Sequence, residues 1–236
     1  MKRKYLAFDL ETAKDVPGPN FNWRAHRPLG ISCAAALPCE AKEPVIWHGL
    51  TSDGAPAAQM SKSEAKQLVN QLVEMVSQGY TLLTWNGLGF DLDVLAEESD
   101  SRAECRKLAT DHVDMMFHVF CERGFPVALE KAAQALRIPG KFKGMSGILA
   151  PNNWAQGRYQ EVIDYVGQDV RITLQVAEAC ESKKSFRWKT QKGSMSSMGL
   201  DDGWLTVDEA LMLPAPDTSW MDTPIPRHRF TRWLQK

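Results

Sequence analysis

The stretch that decides the fold is Tyr5-Leu6-Ala7-Phe8-Asp9-Leu10-Glu11-Thr12. Its first part, up to Leu10, is typical of a strand that is buried on both faces, and the strand closes on acidic residues. Because successive side chains of a strand point to opposite faces, Asp9 and Glu11 share one face and their apolar neighbours point to the other. One strand end therefore presents two carboxylates side by side.

Further strands and helices are predicted beyond this stretch. Apolar runs over residues 29–37 and 44–48 indicate two more strands, and Ser61 with Glu64 forms the capping-box pattern that starts a helix. A fourth strand, over 80–85, follows that helix. Consecutive strands can pair antiparallel, whereas a strand reached through a helix usually joins parallel, so we expect a mixed sheet. Other helices are predicted over 90–98, 112–121, 128–136 and 159–179, and an irregular segment over 139–158.

Length and composition predict one α/β domain with a tail. The chain has 236 residues, of which 44% are hydrophobic and 24% are charged, so it can bury a sizeable core. We expect the α/β domain to cover residues 1–180. Residues 181–236, which contain several Pro and Trp residues, are expected to form a C-terminal extension or small subdomain. The net charge of −1 gives no global basic field, so any nucleic acid would be bound by a local site.

The cysteines and the N-terminus indicate the compartment. Five widely spaced cysteines without a C-x-x-C pair argue against a disulfide framework and a zinc ribbon, and they favour a reducing environment. The apolar run after Lys4 ends at Asp9, well short of the roughly 7 residues that a secretory signal needs. No stretch approaches the roughly 18 apolar residues of a membrane span. We therefore expect a cytoplasmic protein with no membrane association.

Two further acids lie where they can join Asp9 and Glu11. Asp91 falls in the first turn of a predicted helix that follows a strand, and Asp169 lies on the apolar face of the last long helix. Tyr165 precedes Asp169 by four residues, which is one helical turn on the same face. Each feature alone has an ordinary explanation: a solvated strand end, an acid favoured by the helix dipole, or a local Tyr–Asp pair.

Convergence of these carboxylates would have a chemical consequence. Two such charges about 4 Å apart repel by roughly 4 kcal/mol at an effective dielectric constant of about 20. A cluster of this kind persists only with cations between the oxygens or with raised pKa values. Ligands that are all oxygen suit Mg²⁺ or Mn²⁺, and two such ions about 3.5–4 Å apart clamp the attacking and leaving oxygens of a phosphoryl displacement.

Three segments together resemble the motifs of the DEDD 3′–5′ exonuclease superfamily. They are Phe8-Asp9-Leu10-Glu11-Thr12, Trp85-Asn86-Gly87-Leu88-Gly89-Phe90-Asp91-Leu92-Asp93-Val94-Leu95 and Tyr165-Val166-Gly167-Gln168-Asp169-Val170. A tyrosine four residues before the last Asp is typical of the DEDDy subclass, which includes the proofreading domains of B-family DNA polymerases and stand-alone relatives. The resemblance covers about residues 1–180. It implies an α/β, ribonuclease H-like fold, with a mixed five-stranded sheet flanked by helices.

The resemblance also implies a reaction and roles for individual residues. Asp9, Glu11, Asp91 and Asp169 would hold two ions of Mg²⁺ or Mn²⁺, and Tyr165 would orient the attacking water. The terminal phosphodiester of a single strand would be hydrolysed, releasing nucleoside 5′-monophosphates. Contacts to the substrate would come from Thr12, Asn86 and Phe90. The cations and aromatic residues over 13–28 add Trp23 and Arg24 to these expected contacts.

Other charged residues are assigned smaller roles. Asp93 is predicted to be solvated, because it lies two residues from Asp91 on a helix and so faces another direction. Asp114 is predicted to be a helix cap or to act on the site indirectly. Cations suited to gripping a strand occur over residues 13–28, at Lys141 and Lys143, over 182–200 and over 227–233.

Three other functions stay open on the sequence. A ribonuclease H-like endonuclease would share the acids, although the pair Tyr165 and Asp169 argues against it. A catalytically silent nucleic-acid-binding module and a purely structural α/β protein are the others. The expected partner is the 3′ end of single-stranded DNA or RNA, and a protein partner in replication, repair or RNA turnover is compatible with this. The preferred sugar stays open, because no feature senses a 2′-hydroxyl.

Overall fold

The central element is a five-stranded mixed sheet with the strand order β3-β2-β1-β4-β5. The computed structural model describes residues 3–17, 22–140 and 146–235. β1 pairs antiparallel with β2, which pairs antiparallel with β3, whereas β4 joins β1 in parallel and β5 joins β4 in parallel. The predicted mixed five-stranded sheet is confirmed. Its strands are β1 Lys4–Thr12, β2 Ile31–Pro38, β3 Val45–His48, β4 Tyr80–Thr84 and β5 Val113–Asp114.

Helices flank this sheet, and a small hairpin follows the longest of them. In α1 the capping box of Ser61 and Glu64 is present, as predicted. The helices are α1 Lys62–Ser77, α2 Asp91–Ser99, α3 Arg102–Asp111, α4 Met115–Arg123, α5 Leu129–Leu136, α6 Ala150–Ala155, α7 Tyr159–Lys183, α8 Val207–Leu211 and α9 His228–Thr231. Two 3-10 helices cover Trp23–His26 and Arg232–Gln235, and the hairpin strands are β6 Ser185–Lys189 and β7 Met195–Gly199.

Strand β1 is covered on both faces. The even-numbered side chains over 6–10 belong to the apolar cluster that contains residues of α1 and α2. Tyr5 and Ala7 belong to a second cluster that contains the apolar face of α7. Asp9 and Glu11 continue the alternation of Tyr5 and Ala7, so they point towards α7.

The structure differs from the predicted elements at several places, two of which lie next to the acidic residues. The predicted helix over 112–121 begins only at Met115, because Val113 and Asp114 pair with the parallel strand β4 and Asp114 then caps the helix. The segment 139–158, predicted to be irregular, contains helix α6, which has a proline in its first turn. Lys141 and Lys143 lie outside the described residues.

The chain after residue 180 packs into both apolar clusters. Phe186 and Trp204 lie in the α7 cluster, and Phe230 and Trp233 lie in the α1–α2 cluster. The indole Nε1 of Trp233 donates a 2.8 Å hydrogen bond to the carbonyl of Leu88. This contact brings the C-terminal residues next to the turn that precedes α2. All five cysteines are free thiols. None of the described helices is long and apolar enough to cross a membrane.

Candidate active site

Three carboxylates converge where β1 ends under α7. Oxygen atoms of Asp9, Glu11 and Asp169 all lie within 4.8 Å of one another. Glu11 and Asp169 are buried, and Asp9 is half-buried. The convergence follows from the fold, because the strand alternation turns the first two towards α7 and the apolar face of α7 carries the third.

Negative charge accumulates at this strand end. Cys33 of β2 lies opposite Glu11 in the antiparallel register. Burial raises the pKa of the Cys33 thiol well above its usual value, and the charges of Glu11 and then Asp9 add to the effect. The carboxylates therefore lie in surroundings that resist a further negative charge.

Asp91 is tied to the same strand from the other side. It is the first residue of α2, it is buried, and its Oδ1 accepts a 3.1 Å hydrogen bond from the backbone N–H of Leu10. Burial raises the pKa of Asp91 to about 7; hydrogen bonds with Leu10 and Asp9 oppose this rise, and the charge of Asp114 adds to it. Asp91 thus lies beside Asp9, outside the group of three that lies within 4.8 Å.

Residues at the ends of β4 and α3 stabilise the turn before α2. The Thr84 hydroxyl accepts a 3.1 Å hydrogen bond from the N–H of Gly87 and lies 2.9 Å from Nε2 of His112. Nδ1 of His112 lies 2.9 Å from the carbonyl of Ala109. A Cβ on Gly87 would lie 2.5 Å from the Thr84 hydroxyl oxygen, so the turn requires glycine there.

Asp114 fastens the same turn and caps a helix. Its two carboxylate oxygens accept hydrogen bonds of 2.9 Å from the N–H groups of Asn86 and Leu88, and one of them accepts a 3.0 Å bond from Phe117. Asn86 has a φ of 75°, a left-handed conformation that these bonds stabilise. Burial raises the pKa of Asp114 to about 6, although its backbone donors lower it. The predicted role of Asp114 as a helix cap is confirmed.

Asp93 is not solvated, and that prediction is wrong. Only 1% of the Asp93 side chain is exposed, and its carboxylate forms ion pairs with Arg27 at 2.8 Å and Arg24 at 3.4 Å. The reason is tertiary, because Arg24 in the 3-10 helix Trp23–His26 and Arg27 directly after it both bind this carboxylate of α2. Trp23 supports both cations, since their guanidinium carbons lie 4.2 Å (Arg24) and 5.2 Å (Arg27) from its ring centre.

A groove of about 760 Å³ opens onto the acids. Its lining includes Asp9 and Asp169 together with four of the predicted substrate contacts, which are Trp23, Arg24, Asn86 and Phe90. Glu11, Thr12 and Tyr165 are not part of the lining. Thr12 is buried at the end of β1, and Tyr165 is buried in α7 one turn before Asp169.

Sequence reasoning missed part of this lining. The lining of the groove also includes Glu130, Ile225, Arg229, Phe230 and the segment 126–129. The run of cations and aromatic residues over 227–233 was the available signal for the C-terminal part. Nothing in the sequence indicated 126–129, because apolar residues before a helix more often serve the core.

The segment beyond the undescribed residues 141–145 borders Glu11. A Cβ on Gly147 would lie 3.7 Å from Oε2 of Glu11, so the backbone passes close to this carboxylate.

The donor set fits a divalent cation that prefers oxygen. The three clustered side chains are all carboxylates, and two are buried, where uncompensated charges are costly. Mg²⁺, Mn²⁺ and Ca²⁺ bind such all-oxygen sites, whereas zinc favours nitrogen and sulfur donors. Asp9, Glu11 and Asp169 are the residues that would hold the ion.

The family model of the RNase_H superfamily matches residues 45–180, more than half of the chain, and the chain belongs to this superfamily. The mixed five-stranded sheet agrees with this, and the predicted ribonuclease H-like fold is confirmed. No curated protein matches the sequence.

Among solved structures the fold is similar to the family B DNA polymerase from the hyperthermophilic archaeon Pyrobaculum calidifontis. The TM-score is 0.53 and the sequence identity is 17%, so the likeness concerns the fold alone. It covers 77% of this chain and 25% of the polymerase chain. The protein therefore spans about a quarter of the length of that polymerase.

Proposed function

We propose that this protein is a metal-dependent 3′–5′ exonuclease that acts on single-stranded nucleic acid. The observation that carries the proposal is the group of Asp9, Glu11 and Asp169 oxygens within 4.8 Å of one another beside a groove. The RNase_H superfamily, to which the chain belongs, supports nuclease chemistry. The motif resemblance supports the direction of attack, from the 3′ end, and release of nucleoside 5′-monophosphates.

The metal ions belong to this proposal. Two Mg²⁺ or Mn²⁺ ions, when bound, would stabilise charge on the phosphate and favour deprotonation of the attacking water. Asp9, Glu11 and Asp169 would hold them. Asp91, which lies beside Asp9, would act in the shell of the second ion through a water molecule.

The remaining roles fall to polar and aromatic side chains. The hydroxyl of Tyr165 would orient the attacking water, one helical turn from Asp169. Thr12 and Glu11 would face the terminal 3′-hydroxyl. Asn86, held in its left-handed conformation, and Phe90 would contact the terminal nucleotide. The ring of Trp23 is buried under two arginines, so its part would be to position Arg24.

The test is an incubation with 5′-labelled single-stranded DNA and RNA in Mg²⁺, Mn²⁺ or EDTA. We expect a ladder that shortens from the 3′ end, and its loss in EDTA and in Asp9→Ala/Asp169→Ala. The matched control is Asp201→Ala/Asp202→Ala, which removes two exposed acids outside the groove and should retain the ladder. Internal cuts would instead identify an endonuclease. Metal binding without cleavage of either strand would contradict the exonuclease.

A further inference from the structure

A second depression, of about 530 Å³, adjoins the groove and is strongly basic. It shares Trp23, Arg24 and Arg229 with the groove, so the two form one continuous surface. Its lining comprises Asn22, Trp23, Arg24, Pro226, His228, Arg229 and Arg232, without an acidic residue.

The positive charge here is only partly compensated. Arg24 forms an ion pair with Asp93. Burial lowers the pKa of Arg24; Asp93 opposes this, and the charges of Arg232, Arg27 and Arg229 lower it further, so these cations lie close enough to repel. Arg229 and Arg232 reach the surface, and neither has an ion-pair partner within the described part of the chain. A bound anion would relieve this repulsion.

Buried aromatic residues fix the backbone next to each of the two arginines. Phe230 packs on Phe120 with ring centres 4.7 Å apart, and Trp233 donates a hydrogen bond to Leu88. Arg229 and Arg232 immediately precede these two buried anchors and share their spacing of three residues. The anchors therefore fix the backbone that carries both exposed arginines, of which Arg229 lines the groove and the depression and Arg232 lines the depression.

We propose that Arg229 and Arg232 bind two backbone phosphates of the substrate strand on the 5′ side of the bond that is cleaved. The inference rests on the proposed function, because a strand whose 3′ end lies at the acids must leave the groove by its 5′ portion. The basic depression continues the groove, and its cations Arg229 and Arg232 have no ion-pair partner within the described residues. Such contacts read no base sequence, so they select strands long enough to reach the arginines.

Binding without cleavage tests the proposal directly. The probes are fluorescent 20-mers of deoxythymidine and uridine in EDTA, followed by anisotropy from low to moderate salt. For Arg229→Gln/Arg232→Gln we expect roughly tenfold weaker binding at low salt, and a salt slope smaller by about 0.7 for each phosphate that the variant no longer binds. The control, Lys107→Gln/Arg123→Gln, removes two exposed cations outside both depressions and should bind as wild type. Equal affinity and slope in the arginine variant would overturn the proposal.

Hydrolysis of a small and of a long substrate separates this phosphate binding from the chemistry. The p-nitrophenyl ester of thymidine 5′-monophosphate carries the scissile phosphate but no upstream phosphates. The arginine variant should hydrolyse it at the wild-type kcat/KM and should be about tenfold less efficient on the 20-mer, mainly through KM. An equal decrease on both substrates would overturn the proposed phosphate binding. If wild type binds the 20-mer with the predicted arginine and salt dependence but hydrolyses neither substrate, the exonuclease fails and the phosphate binding stands.

Discussion

The carboxylate of Asp91 accepts a buried 3.1 Å hydrogen bond from the backbone N–H of Leu10, so the start of α2 is joined to the strand that carries Asp9 and Glu11. The two residues are 81 positions apart in the chain. This bond joins two of the sequence motifs directly. Leu10 is buried, so the bond gives its N–H a partner away from water.

Two substitutions of Asp91 separate its role in stability from its role in the reaction. Asp91→Asn keeps an oxygen that can accept from Leu10, whereas Asp91→Ala leaves that buried N–H without a partner. We expect Asp91→Ala to be about 1–3 kcal/mol less stable than Asp91→Asn in urea unfolding, and both to lose nuclease activity. Equal stability of the two variants would show that the bond contributes nothing to the fold.

Removing the charge of Asp169 should make the metal-free protein more stable. The three clustered carboxylates repel, so Asp169→Asn relieves part of the repulsion. Wild type should gain about 2.7 kcal/mol at a Mn²⁺ concentration about a hundred times Kd, and the variant should gain little. Thermal unfolding in Mn²⁺ and in EDTA measures both effects. A variant that responds to Mn²⁺ as wild type does would exclude Asp169 as a ligand.

The hydroxyl of Tyr165 should act on the reaction without holding metal. Tyr165→Phe is expected to lower kcat by about 100-fold, a typical size for a group that handles the proton or position of a reacting water. The stabilisation by Mn²⁺ should be retained. Tyr159→Phe, at the start of the same helix and packed on Trp154, is the matched control and should leave kcat unchanged. Similar kcat values for wild type and Tyr165→Phe would remove this role.

The Thr84 hydroxyl should position the second motif. Thr84→Val removes the acceptor of the Gly87 N–H and the partner of His112 at nearly constant volume. We expect stability to fall by about 1–3 kcal/mol, because two buried polar groups are left without their partner. The turn that carries Asn86 should also become less ordered. Because Asn86 is proposed to contact the terminal nucleotide, KM for short strands should then rise. Unaltered stability and KM would contradict this role.

Acid should weaken the packing of the C-terminal part through His118. Its Nδ1 accepts a 3.3 Å hydrogen bond from the N–H of Leu205, and its ring packs on Trp204. Burial lowers the pKa of His118 from 6.5 to about 4, although the charge of Glu209 opposes the change. The unfolded chain therefore binds more protons between these values, so this contribution to stability is present above pH 6.5 and is lost as the pH falls towards 4.

The variant His118→Gln does not titrate in this range. Between about pH 7 and pH 4 the wild type should lose up to about 3 kcal/mol more stability than this variant. Urea unfolding at several pH values measures the difference. Parallel curves for the two proteins would assign the acid sensitivity to other groups.

Local pattern was sufficient for four strands of the sheet and for the acids on β1. The alternation over Tyr5 to Glu11 needs only the period of a strand, and the capping box of Ser61 and Glu64 needs only four residues of one helix. The motif order predicted the ribonuclease H-like fold and named Asp9, Glu11 and Asp169, whose oxygens the structure brings together. The strand alternation and the capping box depend on neighbours in the chain, whereas the fold and the meeting of the acids were predicted through the resemblance of the motifs to a known family.

Tertiary contacts decided the features of the site and of the sheet that local pattern does not predict. Asp93 is buried because a distant segment folds over α2 and supplies two arginines, a partnership that no local spacing encodes. Val113 and Asp114 extend the sheet instead of the helix because β4 offers them an open edge. Arg229 and Arg232 lie beside the groove because Phe230 and Trp233 find apolar pockets more than a hundred residues away in sequence. The sequence by itself determined which residue types carry the chemistry, and only long-range burial of apolar surface decided which cations and aromatic residues surround them.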